Sequence, residues 1–403
     1  MLVGTALCAI SVTAFASAAT AQEVSGDVVT IGVLSDMSGV YKDLEGPGAV
    51  IAAQMAIDDF GGEVLGKPVK LISADHQNKP DIASATAREW IDEGHVDMIT
   101  GLDNSAVGLA VQGVASGKNT ITLNTGAGTS ELTGDKCTKY GIHYVYDTYS
   151  LPVGTATAIV KNGGKSWFFI TADYAFGHSL QKNTAEVVEK LGGTVAGSVD
   201  VPISTNDFSS YLLQAQSSGA NVIALANAGN DTVNSIKQAS EFGIVAGGQQ
   251  IAGMLVMITD VKALGLPVAQ GLQFTTAFYW DRTDEAREWS KRFFEKHHAM
   301  PTMIQAGVYS AVGNYLQAIK TAGTDNADAV RKQLGKMTIS DMFVQDGHIG
   351  KDGLMRHDMY LVKVKAPSES KGDWDLMNVM ATIPAKTAFV SPEKSGCPLV
   401  GQD

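Results

Sequence analysis

The fold is decided by residues 96–131, VDMITGLDNSAVGLAVQGVASGKNTITLNTGAGTSE, in which two short strand-like runs alternate with glycine-rich turns. The runs are Val96–Thr100 and Thr120–Leu123. The segment Ala106–Gly117 between them is small and apolar enough to be the crossover helix that two parallel strands require. This stretch therefore predicts a strand–helix–strand unit in an open parallel sheet.

Each strand ends in a small polar turn, Gly101–Ala106 after the first and Asn124–Thr129 after the second. In an open parallel sheet such turns lie side by side at the carboxyl ends of the strands, where ligands bind. They offer backbone N–H groups, the hydroxyls of Ser105 and Thr129 and a helix N-terminus, a combination that suits a carboxylate. The alternative is that both are ordinary connections, but two such turns in succession favour a binding crevice.

The composition indicates a globular, exported protein. The 403 residues are 45% hydrophobic and 18% charged, and a chain of this length usually forms more than one domain. A net charge of -12 without a basic stripe excludes nucleic acid as the class of partner. Residues 1–21 are uncharged, mostly apolar and end in an A-x-A pattern, which predicts a cleaved signal peptide; a membrane anchor is the alternative.

Two cysteines, Cys137 and Cys397, remain once the leader is removed. In an oxidising compartment we expect them to form one disulfide that fixes the C-terminal tail to the body of the protein. The alternative is two free thiols. Because the closed loop is long, the chain-entropy model gives a stabilisation of roughly 4–5 kcal/mol as an upper estimate.

Strands and helices alternate along the chain in two similar blocks. In the first, the further predicted elements are Val28–Leu34, Glu45–Phe60, Val69–Ala74 and Pro80–Glu93. After the aromatic stretch His143–Leu151, the alternation restarts with Ser166–Thr171, Ala175–Leu191, Thr194–Val201, Asp207–Ser217, Asn221–Leu225 and Asp231–Phe242. Later elements are predicted at Gly271–Ala277, Asp284–His297, Thr302–Ala322, Asn326–Leu334, Met359–Val364 and Met377–Ile383. The pattern predicts an α/β protein with two lobes, parallel central sheets and a cleft at a hinge.

Four segments together resemble the periplasmic substrate-binding proteins of ABC importers, in the branch of the leucine/isoleucine/valine-binding proteins. They are VVTIGVLSDMSGVYKDLEGPGAVIAAQMAIDDF, GLDNSAVGLAV, TLNTGAGTSELTG and TADYAFGHSL. The resemblance spans about Val28 to Lys365 and implies the type I periplasmic-binding fold, two Rossmann-like lobes joined by three crossovers. It implies a periplasmic, monomeric receptor that closes on its ligand and presents it to a membrane permease. The expected ranges are 24–147 and 277–350 for lobe 1, 148–276 and 351–385 for lobe 2, and 386–403 for the tail.

The resemblance also assigns site residues. The carboxylate site of the family falls on Ser105 with its neighbour Asn104, and on Ala127 and Gly128, where amino-acid binders commonly have Thr instead of Gly128. Asp147 falls on a hinge position that helps to hold a ligand ammonium. An acid that usually neutralises this ammonium should stand near Met254 or Leu255, and the sequence has none there.

The missing acid favours a ligand with a carboxylate and no amine, since a buried ammonium without partners costs several kcal/mol. The candidate walls are large and apolar or aromatic: Tyr41, Tyr149, Phe176, Met254, Phe278 and Tyr279. Asn227 and Asn230 are candidate partners for ring hydroxyls. The segments TADYAFGH and MPTMIQAGVYSAV are similar to those of the subgroup that binds benzoate- and cinnamate-type acids, which implies an aromatic acid as the ligand.

Two other functions stay open. One is a receptor for branched-chain or other aliphatic amino acids, and the other is an exported hydrolase that uses a carboxylate or His178, which follows Asp173 closely. No metal or cofactor is expected, because the phosphate-loop and dinucleotide patterns are incomplete and adjacent His297 and His298 would point apart on a helix.

Overall fold

The computed structural model describes residues 24–401, so the predicted signal peptide lies outside the described residues. Its first sheet has six strands in the order β2-β3-β1-β4-β5-β6. All of its pairings are parallel except that of β2 with β3. These strands are β1 (Val29–Ser35), β2 (Glu63–Val64), β3 (Lys67–Asp75), β4 (Met98–Gly101), β5 (Ile121–Asn124) and β6 (Gly141–His143). Every residue of β1, β4 and β5 is buried, as expected for strands with helices on both faces.

The second sheet is entirely parallel, with the order β10-β9-β7-β8. Its strands are β7 (Ser166–Ala172), β8 (Thr194–Val201), β9 (Val222–Ala226) and β10 (Gln250–Gly253). Trp167 and Phe169 of β7 are fully buried. The predicted α/β class with parallel central sheets is confirmed.

The late strands form an antiparallel sheet and a hairpin. They are β11 (Gln273–Thr276), β12 (His348–Ile349), β13 (Met355–Arg356), β14 (Met359–Val364) and β15 (Met377–Ile383). Strand β14 pairs with β11 on one side and β15 on the other, and β12 pairs with β13. Leu354, between β12 and β13, bridges to His143 at the end of β6, so this hairpin adjoins the first sheet.

The helices divide between the sheets. In chain order they are α1 (Gly46–Phe60), α2 (Pro80–Asp92), α3 (Ser105–Ser116), α4 (Ser150–Lys161), α5 (Ala175–Lys190), α6 (Ser209–Ser217), α7 (Asn230–Glu241), α8 (Ile258–Leu264), α9 (Leu266–Ala269), α10 (Asp284–His297), α11 (Met303–Ala322), α12 (Ala327–Leu334) and α13 (Ala385–Ala388). Helices α10 and α11 pack on α1, α12 packs on α11, and α4 packs on α5 and β11. No helix among residues 24–401 is long and apolar enough to cross a membrane.

We call unit one the first sheet with the β12–β13 hairpin, α1–α3 and α10–α12. Unit two comprises the second parallel sheet and the antiparallel sheet β11-β14-β15, with α4–α9. The chain passes between these units three times, at residues 144–149, 277–283 and 357–358. The lobe boundaries predicted from the sequence stay a prediction. The predicted disulfide is present: Cys137 of unit one is bonded to Cys397 of the tail, with the Cα atoms 5.6 Å apart.

Candidate functional site

A small cavity lies where the carboxyl ends of both parallel sheets face each other. Strands β1, β4, β5 and β6 of unit one and β7, β9 and β10 of unit two each end in a turn that reaches it. The cavity has a volume of about 10 Å³, room for about one water. It is lined by Tyr41, Leu44, Asp103, Ser105, Gly126, Gly128, Tyr146, Tyr174, Phe176, Ala228 and Leu255.

One end of the cavity presents the Ser105 hydroxyl as a donor for an anion, while the backbone N–H groups of the adjoining turns are bonded to side-chain oxygens. Ser105 is the first residue of α3 and is 1% exposed, and its Oγ accepts the backbone N–H groups of Gly128 at 3.2 Å and Thr129 at 3.1 Å. Asn104 caps the helix by accepting the N–H groups of Ala106 and Val107 on its Oδ1. With both N–H groups bound to its oxygen, Ser105 keeps its hydroxyl hydrogen for donation.

The side chain of His143 forms a hydrogen bond with the turn that follows β5. Its Nε2 lies 2.6 Å from the carbonyl oxygen of Ala127, which can only accept, so Nε2 carries the hydrogen. Burial lowers the pKa of His143 to about 4, which keeps the ring neutral near neutral pH. Ala127 therefore contributes to the site through its backbone carbonyl, which His143 holds, and not through its side chain.

Aromatic rings cover the other wall. The Tyr146 hydroxyl donates to the carbonyl of Gly126 at 2.6 Å, and the rings of Tyr174 and Phe176 lie 6.1 Å apart. A Cβ on Gly128 would come within 2.9 Å of ring carbons of both Phe176 and Tyr146. The glycine at this position therefore gives these rings the space that a threonine side chain would occupy.

Contacts between the units close the cavity. The hydroxyls of Tyr41 and Tyr174 are 2.6 Å apart, Asn230 donates its N–H to the carbonyl of Val40, and the Thr259 hydroxyl donates to the carbonyl of Asp43. A larger ligand requires Tyr41 and Tyr174 to separate.

A buried acid also lines the cavity. Asp103 is 6% exposed and accepts the backbone N–H of Asp36 at 2.9 Å. His76 accepts the N–H of Asn78 on Nδ1, so its proton is on Nε2, 2.7 Å from Oδ1 of Asp103. Among the residues that line the cavity, Asp103 is the one carboxylic acid, and none of them is a lysine, arginine or histidine.

Glu45 lies behind Asp103 and is fully buried. The hydroxyl of Ser35 is 3.2 Å from an oxygen of each acid, and the Thr125 hydroxyl is 2.7 Å from Glu45 Oε1. Burial, and next the charge of Asp103, raise the pKa of Glu45 well above its usual value.

The structure brings some of the predicted site residues together and leaves others apart. Tyr41, Ser105, Gly128 and Phe176 line the cavity, and Asn104 and Ala127 support its turns.

Five predicted site residues lie outside the cavity. The predicted wall residues Phe278 and Tyr279 do not line it either. Asp147 and Tyr149 line a separate pocket of about 330 Å³ near the tail. Asn227 is bonded to Thr232 and Ser235 within unit two, Asn230 is exposed at its side chain, and Met254 is fully buried in the core.

Sequence reasoning missed Asp103, Tyr146 and Tyr174 as lining residues. Asp103 stands in the predicted turn two residues before Ser105, and Tyr174 two residues before Phe176. Their position directly after predicted strand ends is the sequence signal that identifies them as candidate lining residues.

Comparison with known proteins decides the family. The model of the periplasmic binding protein family matches residues 28–373. This chain belongs to the periplasmic binding protein family. The resemblance seen in the sequence is thereby confirmed, together with the type I periplasmic-binding fold.

Solved structures agree with this assignment. A periplasmic binding protein from Burkholderia mallei is 51% identical with a TM-score of 0.91, over 93% of this chain and 99% of that one. A branched chain amino acid ABC transporter periplasmic ligand-binding protein from Burkholderia xenovorans LB400 is 41% identical with a TM-score of 0.82, over 92% and 99%. A solute binding protein of an ABC transporter from Rhodopseudomonas palustris BisB5, in complex with 3,4-dihydroxy benzoic acid, shares the fold at 20% identity and a TM-score of 0.81, over 89% and 98%.

Proposed function

We propose that this periplasmic binding protein captures a small aromatic carboxylate, of the hydroxybenzoate or hydroxycinnamate type, by closure of its two units. It then presents the acid to the permease subunits of an ABC importer in the inner membrane. The protein acts in the periplasm as a monomer and carries out no chemistry.

The observation that carries this proposal is that the rings of Phe176 and Tyr146 occupy the space that a side chain at position 128 would need. In one turn, Gly128 supplies a backbone N–H beside the Ser105 hydroxyl and leaves space for Phe176 and Tyr146. A ligand carboxylate accepts from the Ser105 hydroxyl, whose oxygen holds the Gly128 N–H, and an aromatic ring attached to that carboxylate lies against Phe176 and Tyr146. Aromatic pairs contribute about 0.5–1.5 kcal/mol beyond the area they bury.

The position of Asp103 on the cavity wall favours a ligand with a hydroxyl group on its aromatic ring. A carboxylate accepts and does not donate, so the ligand atom next to Asp103 must be a donor. A phenolic hydroxyl meets this requirement without adding charge. Benzoate has no such group and is expected to bind more weakly than its hydroxylated derivatives.

Asp103 also favours a second candidate, an aliphatic amino-acid receptor. Its charge lies on the cavity wall and is suited to neutralise an ammonium, although the sequence has no acid near Met254. The description of the relative from Burkholderia xenovorans, which is 41% identical, points in the same direction.

A thermal-shift screen with leucine, valine, benzoate, 4-hydroxybenzoate and a hydroxycinnamate separates the two candidates. Stabilisation grows with RT ln(1 + [L]/Kd), so a tight ligand stands out. We expect a hydroxylated aromatic acid to give the largest shift. The largest shift with leucine or valine would instead establish the amino-acid receptor.

The Ser105→Ala variant tests the anion site. Loss of the hydroxyl is expected to weaken binding of the best ligand by about 1–3 kcal/mol. Ser116→Ala, at the other end of α3, is the matched control and should leave the affinity unchanged. Equal affinities of the two variants would remove Ser105 from the site.

A further inference from the structure

Three potential metal ligands converge where β7 and β8 of unit two end and α5 begins. Asp173 directly follows β7, Asp200 is the last but one residue of β8, and His178 lies in the first turn of α5. All three are exposed, and one ligand atom from each lies within 4.8 Å of the others.

The backbone fixes this arrangement. Strands β7 and β8 are neighbours in the parallel sheet, with Thr171 paired to Asp200, and Asp173 donates its N–H to the carbonyl of Val201 at 2.8 Å. Helix α5 then turns back over the same sheet edge, so that His178 Nε2 lies 3.0 Å from Asp173 Oδ1. The three side chains thus come from two adjacent strand ends and the helix that follows the first.

A surface ion pair explains only part of this cluster. Asp173 and His178 form a pair, but Asp200 adds a second carboxylate to the same imidazole. Among residues 24–401, no lysine or arginine forms an ion pair with either aspartate. Two carboxylates therefore converge on one imidazole, and no lysine or arginine pairs with either of them in the described part of the chain.

We propose that Asp173, His178 and Asp200 form a binding site for a divalent transition-metal ion, with Zn²⁺ as the best match. An imidazole with carboxylates is a ligand set that Zn²⁺ accepts, and three protein ligands leave a position for water. Ligand atoms around a tetrahedral Zn²⁺ are about 3.4 Å apart, which exposed side chains reach by small rotations. Mg²⁺ and Ca²⁺ prefer oxygen ligands only and match this set less well.

The site lies next to the cleft without being part of it. Asp173 precedes Tyr174, whose hydroxyl contacts Tyr41 across the cavity. A bound ion would therefore fix the turn that carries Tyr174 and Phe176. The metal site does not depend on which organic ligand the cleft takes.

Calorimetric titration of the metal-free mature protein with ZnCl₂ tests the site. We expect binding of one Zn²⁺, weakened roughly tenfold or more in His178→Ala and also reduced in Asp200→Asn. Because these side chains are exposed, both variants should unfold at the temperature of the unmodified protein.

His348→Ala is the matched control. His348 also pairs with an aspartate on the surface, Asp346 at 3.1 Å, but no second carboxylate joins that pair among the described residues. Its substitution should leave Zn²⁺ affinity unchanged. Equal Zn²⁺ affinity in His178→Ala and the unmodified protein would overturn the proposal, as would tighter binding of Mg²⁺ than of Zn²⁺.

Discussion

The hydroxyl oxygens of Tyr41 and Tyr174 lie 2.6 Å apart and join two units of the protein across the cavity. Tyr41 follows β1 in unit one, and Tyr174 follows β7 in unit two. This hydrogen bond exists only when the units are together, so it stabilises the closed arrangement and has no counterpart in an open one.

Replacement of Tyr174 by Phe removes this bond and keeps the ring. A hydrogen bond contributes about 1 kcal/mol, so the closed population of the ligand-free protein should fall about fivefold relative to the open one. Small-angle X-ray scattering should show a larger radius of gyration. Tyr309→Phe is the control, because that hydroxyl bonds to Asp59 within unit one; an equal change in both variants would contradict the interpretation.

Gly128→Ala tests the packing of rings against the anion site. The new Cβ would come within 2.9 Å of Phe176 and Tyr146, and such overpacking costs about 1–3 kcal/mol of the free energy of unfolding. Urea denaturation measures this loss, and adding Phe176→Leu should restore part of it. Gly113→Ala in α3, where a Cβ meets nothing within 4 Å, should instead stabilise by about 0.5–1 kcal/mol. Similar behaviour of the two alanine variants would show that the ring contact is unimportant.

Glu45→Gln tests the protonation of the buried acid. The single hydroxyl hydrogen of Ser35 cannot satisfy both Glu45 and Asp103, and burial raises the pKa of Glu45, which favours its protonated form. Because the pKa of Glu45 is raised in the folded protein, the stabilisation that protonated Glu45 contributes is fully present below its unfolded-state pKa of 4.5. This stabilisation is lost as the pH rises towards the folded-state pKa. A glutamine at this position does not ionise, so the variant does not lose stability in this way.

The free energy of unfolding of Glu45→Gln, relative to the unmodified protein, should therefore increase as the pH rises from 4.5 towards neutrality. Urea titrations at several pH values measure the difference. Exposed Glu288→Gln, outside the buried pair of acids, is the control for replacing a glutamate by glutamine. A constant destabilisation of Glu45→Gln at all pH values would mean that Glu45 is ionised in the folded protein.

Removal of the disulfide should lower stability without changing the fold. The Cys137→Ser/Cys397→Ser variant releases a crosslink between residues 260 apart, worth on the order of 5 kcal/mol at most. Its melting temperature should fall, and a thiol reductant should lower that of the unmodified protein but not of the variant. Identical melting curves with and without reductant for the unmodified protein would show that the crosslink contributes no stability.

The sequence predicted those elements whose periodicity and ends are both clear. Thr194–Val201, Asp284–His297 and Met359–Val364 have the predicted bounds. Strands β6 and β10 were missed, because three or four residues show no period and owe their strand geometry to pairing with β5 and β9.

The same limit applies to the site. Ser105 and Gly128 follow from their place after strand ends, since parallel strands bring those turns together. Met254 is buried in the core while Leu255, one residue later, lines the cavity. Neighbouring residues point in different directions after a strand, and the packing of β10 selects between them.

The position of the tail changes how many covalent links the hinge has. Strand β15 belongs to unit two, the tail follows it, and Cys397 binds Cys137 of unit one. In an oxidising compartment the two halves are therefore connected four times, and any separation of them must also displace the segment from 384 to 396. The range of opening is thus coupled to the thiol redox state of the surroundings, which a reduced preparation of the protein would not reproduce.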